Sequence, residues 1–152
     1  MIEALGGVPQ KLPFKEVYQA LAQGVVDGQE NAWSNIHSKK FYEVQDYITV
    51  SNHSYLGYMV VVSAAFWNNL PADIRQELTG IMAEATAANR RFALQADSSD
   101  RKKIEAAGKA KVVELTAEEL DQWRRAVAGV EERFKRQIGA DLLAEIHKLL
   151  GH

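Results

Sequence analysis

The chain has 152 residues, 47% apolar and 25% charged, the balance of a folded domain able to bury a hydrophobic core. Its 18 basic and 20 acidic residues leave a net charge of −2, which offers no basic footprint for DNA or RNA. Cysteine is absent, excluding disulfides and cysteine nucleophiles, and the four histidines (His37, His53, His147, His152) lack the HxxxH or HExxH spacing of a zinc site.

In chain order, residues 1–5 read as the tail of a helix ended by Gly6-Gly7. Residues 8–12, with Pro9 and Pro13 near their ends, read as a short extended strand. Over residues 14–23, Phe14, Val17, Tyr18 and Leu21 have helical spacing, and Gly24 stops it. Val25-Val26 reads as a short buried strand before the Asp27-Gly28 turn signal. Residues 31–38 read as a loop with a helical turn. Residues 47–51 and 57–62, rich in Val, Ile, Thr and Tyr, read as strands joined by the polar Asn52-His53-Ser54-Tyr55.

The second half reads as helical. Residues 64–69 form a short helix bearing Phe66 and Trp67, and Pro71-Ala72-Asp73 opens a helix predicted to run to Ala107. Its stripe of Ile74, Leu78, Ile81, Met82, Ala85, Ala88, Phe92 and Ala96 keeps the i, i+3/i+4 pattern. About 36 residues at 1.5 Å each span about 54 Å, so such a helix crosses two domains or two chains. Residues 111–115 read as a strand. Thr116 and Glu119 have capping-box spacing at the start of a helix with Leu120, Trp123 and Val127 inward. Gly129 and Gly139 are expected to divide the remainder into two further helical segments, the last over residues 140–150.

The organisation predicted is therefore a mixed α/β part at residues 1–63 and a helical part at residues 64–152, with the long helix 71–107 and C-terminal helices. The strands are too few and scattered for a self-contained sheet, and read as additions to a sheet whose central strands lie elsewhere. The most apolar run, residues 58–66, falls short of the roughly 18–20 residues a membrane helix needs. The start carries no basic segment followed by an apolar one, so no secretory signal is expected in the chain as written.

Several stretches in fixed order carry a family resemblance. They are Ala4-Leu-Gly-Gly-Val-Pro9, Pro13-Phe-Lys-Glu-Val-Tyr-Gln-Ala-Leu21, Gly24-Val-Val-Asp-Gly-Gln-Glu-Asn31, Lys39-Lys-Phe-Tyr-Glu-Val-Gln45 and Ser51-Asn-His-Ser-Tyr-Leu-Gly-Tyr58. Phe66-Trp67 and Leu70-Pro-Ala-Asp-Ile-Arg75 complete them. Together they resemble the latter half of the substrate-binding proteins of TRAP transporters, of the dicarboxylate-binding kind. The resemblance implies an α/β fold: the C-terminal portion of a bilobal periplasmic binding protein, helix-rich with a few short strands and one long lobe-spanning helix. Residues 1–63 would then be the ligand-cleft part of the lobes. The implied function is periplasmic capture of small organic acids for delivery to membrane-embedded transporter subunits, with no cofactor and no enzyme activity.

By position, Asn31 resembles the family asparagine that hydrogen-bonds a ligand carboxylate, and Phe14 the aromatic residue lining the cleft near the hinge. His53 and Tyr55 lie on a connection where the family places contacts to the distal part of the ligand, and Gln29 neighbours Asn31 in the same motif. Ala32 departs from the proline usual in the family. The carboxylate-clamping arginine of the family falls upstream of Met1, and no residue here stands in for it.

Each assignment has a plainer alternative. Asn31 alone is a common turn residue after Asp27-Gly28. Phe14 alone is a core residue at a helix start, although an aromatic can serve a cleft wall as well. Glu30 would repel a carboxylate ligand, so its expected role is to accept hydrogen bonds from nearby backbone or a basic residue. An enzyme reading finds no Ser/His/Asp motif and no Gly-rich phosphate loop. The rival from another class is a truncated remnant acting only as a helical self-associating or interaction domain, forming a homodimer through the long helix or an exposed sheet edge.

Overall fold

The computed structural model describes residues 1–151; His152 lies outside the described residues. A 3-10 turn at Ile2–Leu5 comes first, then one at Phe14–Glu16 that continues into α1 (Val17–Ala22). Next come α2 (Trp33–Ser38), a 3-10 turn at Phe41–Glu43 and β1 (Tyr47–Val50). The second half holds α3 (Ala64–Asn69), α4 (Ala72–Ala107), β2 (Lys111–Glu114), α5 (Ala117–Ile138) and α6 (Ala140–Leu150). The architecture is the expected helix-rich α/β one, with β1 and β2 forming a two-stranded sheet.

The chain divides into two compact units. The larger comprises Phe14–Ile48 and Asn52–Val113. Its core is Leu21 of α1, Ile36 of α2, Phe41, Ile48 of β1, Ile104 of α4 and Ala110, with Val17, Tyr18, Val26, Trp33, Tyr42 and Val44 packed around it. Phe41 and Ile104 are wholly enclosed. Packing of Leu21 and Ile36 into this core is how two short helices of six residues, unstable alone, are held. The smaller unit comprises Met1–Pro13, Thr49–Ser51 and Glu114–His152. There α5 packs against α6 and against the Ile2–Leu5 turn. Leu143 is buried, Arg133 reaches Glu3 at 3.4 Å, and His147 Nε2 meets Glu131 at 2.9 Å.

The 36 residues of α4 match the span read from sequence, and Gly108 ends the helix in the left-handed region (φ 61°), where a side chain would be strained. Its apolar stripe is real as a pattern but uncovered. Only Ile104 is buried on this helix, whereas Ile81 is 52% and Phe92 68% exposed. Gly129 does not divide α5, which runs unbroken from Ala117 to Ile138. One interior glycine costs a helix about 1 kcal/mol against alanine, which a 22-residue helix with Leu120, Trp123 and Val127 half-buried on one face absorbs. Gly139, with φ 97°, is where the break falls.

Three expected strands are absent. Residues 8–12, 25–26 and 57–62 have no ladder partner and are irregular, and Tyr58, Met59, Val60 and Val61 are each more than 80% exposed. Their composition suits a strand, but a strand needs a neighbouring strand to accept and donate its backbone hydrogen bonds, and the described residues place none beside them; the Val25 and Val26 N–H groups donate instead to the Ala20 carbonyl of α1. Residues 47–50 differ because β2 is beside them: Lys111 N–H donates to the Asp46 carbonyl at 2.8 Å.

Candidate functional site

The segment from Gln29 to His37 joins a polar loop to α2 in the larger unit. Ala32 is extended (φ −68°, ψ 156°) and caps α2, so the chain turns abruptly from loop to helix just after Asn31. That places Asn31 four residues before Asn35, one helical turn on, and Asn35 Nδ2 donates to Asn31 Oδ1 at 3.0 Å. Asn31 Nδ2 in turn donates to Gln29 Oε1 at 2.7 Å, and Gln29 Nε2 to Gln45 Oε1 at 3.3 Å. All four side chains are half-buried. Gln45 also lines a cleft of about 280 Å³ with Leu21, Val26, Asp27, Val44, Asp46 and Tyr47.

Helix α2 is tied to α4 beneath this row. His37 Nδ1 lies 3.1 Å from Asp100 Oδ1, which also accepts from Lys103 Nζ at 2.8 Å. The Ser34 backbone N–H donates to Asp97 Oδ1 at 3.3 Å. Arg101 stacks its guanidinium on Trp33, 5.1 Å from the ring centre, while bonding Glu105 at 2.8 Å. Arg101, through Trp33, thus helps fasten the helix that carries Asn35.

The remaining site candidates divide. Glu30 accepts from the Ser54 hydroxyl at 3.5 Å, and His53 Nε2 lies 3.5 Å from the same Oε2. Asn52 adopts a positive φ of 46° just before, a conformation asparagine tolerates, and this turn brings His53 and Ser54 toward the loop. Gln29, Asn31 and, through Glu30, His53 therefore form one neighbourhood. Tyr55 does not join it; the residue is 94% exposed. Phe14 sits edge-on to Phe41 with ring centres 5.8 Å apart, and Lys39 Nζ lies 5.4 Å from its ring centre. Phe14 is thus part wall, part surface, at 42% exposure.

Sequence reasoning did not single out Asn35 or Gln45. The i, i+4 spacing of two asparagines across a helix start was a usable signal for the first. Nothing local marks Gln45, whose role depends on the tertiary fold. Elsewhere, a shallow groove of about 640 Å³ runs along α4 beside Leu94, Ser98 and Lys102, away from these groups. Among the described residues no three His, Asp or Glu side chains are grouped to hold a metal ion, and no helix is long and apolar enough to cross a membrane.

The family model for bacterial extracellular solute-binding protein, family 7 (DctP) matches residues 1–137. The C4-dicarboxylate-binding periplasmic protein DctP of Rhodobacter capsulatus is 44% identical over 145 residues, covering 95% of this chain and 44% of that protein. Among solved structures, a TRAP periplasmic solute-binding protein from Shewanella oneidensis with bound succinate matches with a TM-score of 0.88 and 42% identity, over 93% of this chain and 47% of that one. One from Pseudomonas aeruginosa with bound L-malate matches with a TM-score of 0.76 and 40% identity, over 82% and 43% respectively. The chain therefore spans less than half the length of these relatives.

Proposed function

We propose that this chain, which belongs to the DctP family of bacterial extracellular solute-binding proteins, contributes one side of a carboxylate-binding cleft in a TRAP-type carrier. The observation that carries the reading is the half-buried Gln29–Asn31 pair at 2.7 Å, in a chain 40–44% identical to carriers described with C4-dicarboxylates, succinate or malate. Amide N–H groups fixed by a rigid loop are suited to a carboxylate, whose oxygens only accept. Asn31 contacts the ligand carboxylate, Gln29 aligns it, and Phe14 supplies apolar wall. His53 acts from the neighbouring connection and Tyr55 reaches the distal end of the ligand. Residues 1–63 form the cleft part and residues 64–152 the helical support.

In this reading the protein binds and releases its ligand unchanged, works in the periplasm, and hands the ligand to membrane-embedded transporter subunits. The test is calorimetric titration with succinate and L-malate, on this chain and on a fusion to the portion of the Rhodobacter relative that it does not cover. Saturable binding by the fusion that weakens about ten-fold or more in Asn31→Ala is the expected result. A folded fusion that ignores both acids, or an Asn31→Ala variant that binds equally well, overturns it. The second reading, a self-associating helical domain, is favoured by the exposed apolar run from Tyr55 to Val62.

A further inference from the structure

The three hydrogen bonds through Asn31 form a relay with a direction. Asn35 Nδ2 donates to Asn31 Oδ1, Asn31 Nδ2 to Gln29 Oε1, and Gln29 Nε2 to Gln45 Oε1. Each inner carboxamide accepts through its oxygen and donates through its nitrogen. A carboxamide has two N–H donors and one oxygen. In this direction Asn31 spends its oxygen on Asn35 and one N–H on Gln29, leaving one N–H to offer. Turning only the Asn31 amide over would set its NH2 against the Asn35 NH2 and its oxygen against the Gln29 oxygen, two like-polarity contacts in a half-buried place. At the far end Gln45 shares a cleft with Asp27 and Asp46. Carboxylates only accept, which favours the Gln45 nitrogen on that side and leaves its oxygen for Gln29.

We propose that Asn35 and Gln45 are positioning residues that lock the polarity of this relay, so that Asn31 presents an N–H, and not its oxygen, to an anionic ligand. The inference rests on the reading of Asn31 as a ligand donor. It adds a basis for selecting anions that depends on neither charge nor arginine: reversal of the relay would present an acceptor, which a carboxylate avoids.

Two isosteric variants separate polarity from charge. Asn35→Asp removes the head donor, so the Asn31 NH2 turns toward the new carboxylate and the relay reverses. Gln45→Glu adds the same charge at the tail but keeps an acceptor for Gln29, so the direction survives. The first readout needs no ligand: side-chain amide NMR of the 152-residue chain, following the trans-hydrogen-bond coupling between Asn31 Nδ2 and the Gln29 side-chain carbonyl carbon. It is expected in the wild type and in Gln45→Glu, and lost in Asn35→Asp. Its absence from the wild type, or its persistence in Asn35→Asp, overturns the relay whether or not a variant folds poorly.

The second readout is succinate affinity in the fusion described above, expected to fall about ten-fold or more in Asn35→Asp relative to Gln45→Glu. Equal affinities overturn the role of polarity in ligand choice. If the couplings behave as stated while Asn31→Ala leaves binding intact, the ligand assignment fails and the relay stands. If Asn31→Ala abolishes binding but the couplings are absent, the relay fails and the ligand assignment stands.

Discussion

His37 on α2 and Asp100 on α4 meet at 3.1 Å, and the same Asp100 oxygen receives Lys103 at 2.8 Å. The Asp100 side chain is only 13% exposed, so this is a fastening set into the interface and not a loose surface pair. Its position matters because α2 begins two residues after Asn31 and carries Asn35. Asp100→Ala is expected to cost about 1.5–3 kcal/mol, the range for a hydrogen bond to a charged group. Urea unfolding followed by circular dichroism would measure it. A midpoint equal to that of wild type would mean that the His37–Asp100 contact adds nothing to the hold on α2.

Among the described residues, Phe41 and Ile104 are the large side chains wholly removed from solvent. They occupy one core with Leu21, Ile36 and Ile48. With so few buried residues, little can collapse to fill a hole. Phe41→Ala should cost about 3–5 kcal/mol and Ile104→Val about 0.5–1.5 kcal/mol, the first approaching loss of the fold. Thermal denaturation gives both values; a cost below that of Ile104→Val for Phe41→Ala would place the ring outside the true core.

The helices were legible because their signals are local: the Phe14–Leu21 spacing, the unbroken α4 pattern after Pro71, and the Thr116–Glu119 box all act within a turn or two. The expected strands at residues 8–12, 25–26 and 57–62 failed because a strand is a relation between segments, and composition cannot say whether the partner is present. Gly129 is a weak stop because the helical signals on both sides of it outweigh the cost of one interior glycine. At the site, Asn31 and Gln29 could be found through the motif. Gln45 becomes visible only when the fold brings it beside Gln29.

The run from Tyr55 to Val62 leads to a prediction about association. Tyr58, Met59, Val60 and Val61 expose both faces of a β-prone segment with unpaired backbone groups, a combination that templates pairing with another copy. Sedimentation velocity over a wide concentration range should show oligomers that dissociate on dilution, and Val61→Lys should shift the distribution toward monomer. A monomer throughout would mean that the segment is shielded in solution.

The last prediction concerns the start of α5, where Thr116 and Glu119 cap each other. Thr116 Oγ1 accepts from the Glu119 N–H at 3.2 Å, and the Glu119 carboxylate accepts from the Thr116 N–H at 2.8 Å. Thr116→Ala removes one half of the box and should cost about 1 kcal/mol. The other half depends on pH. The Thr116 backbone N–H, and then its hydroxyl, hold the Glu119 carboxyl below its ordinary value of 4.5. A carboxyl lowered on folding contributes stability that is fully present above its unfolded value and is lost as pH falls through the folded one. Glu119→Gln keeps an acceptor for the Thr116 N–H but cannot titrate. Denaturation of both proteins across a pH series should therefore show a wild-type advantage at neutral pH that shrinks below pH 4.5 and disappears once the folded carboxyl is protonated. Parallel curves for the two proteins would show that the charge on Glu119 adds nothing to the cap beyond its hydrogen bond.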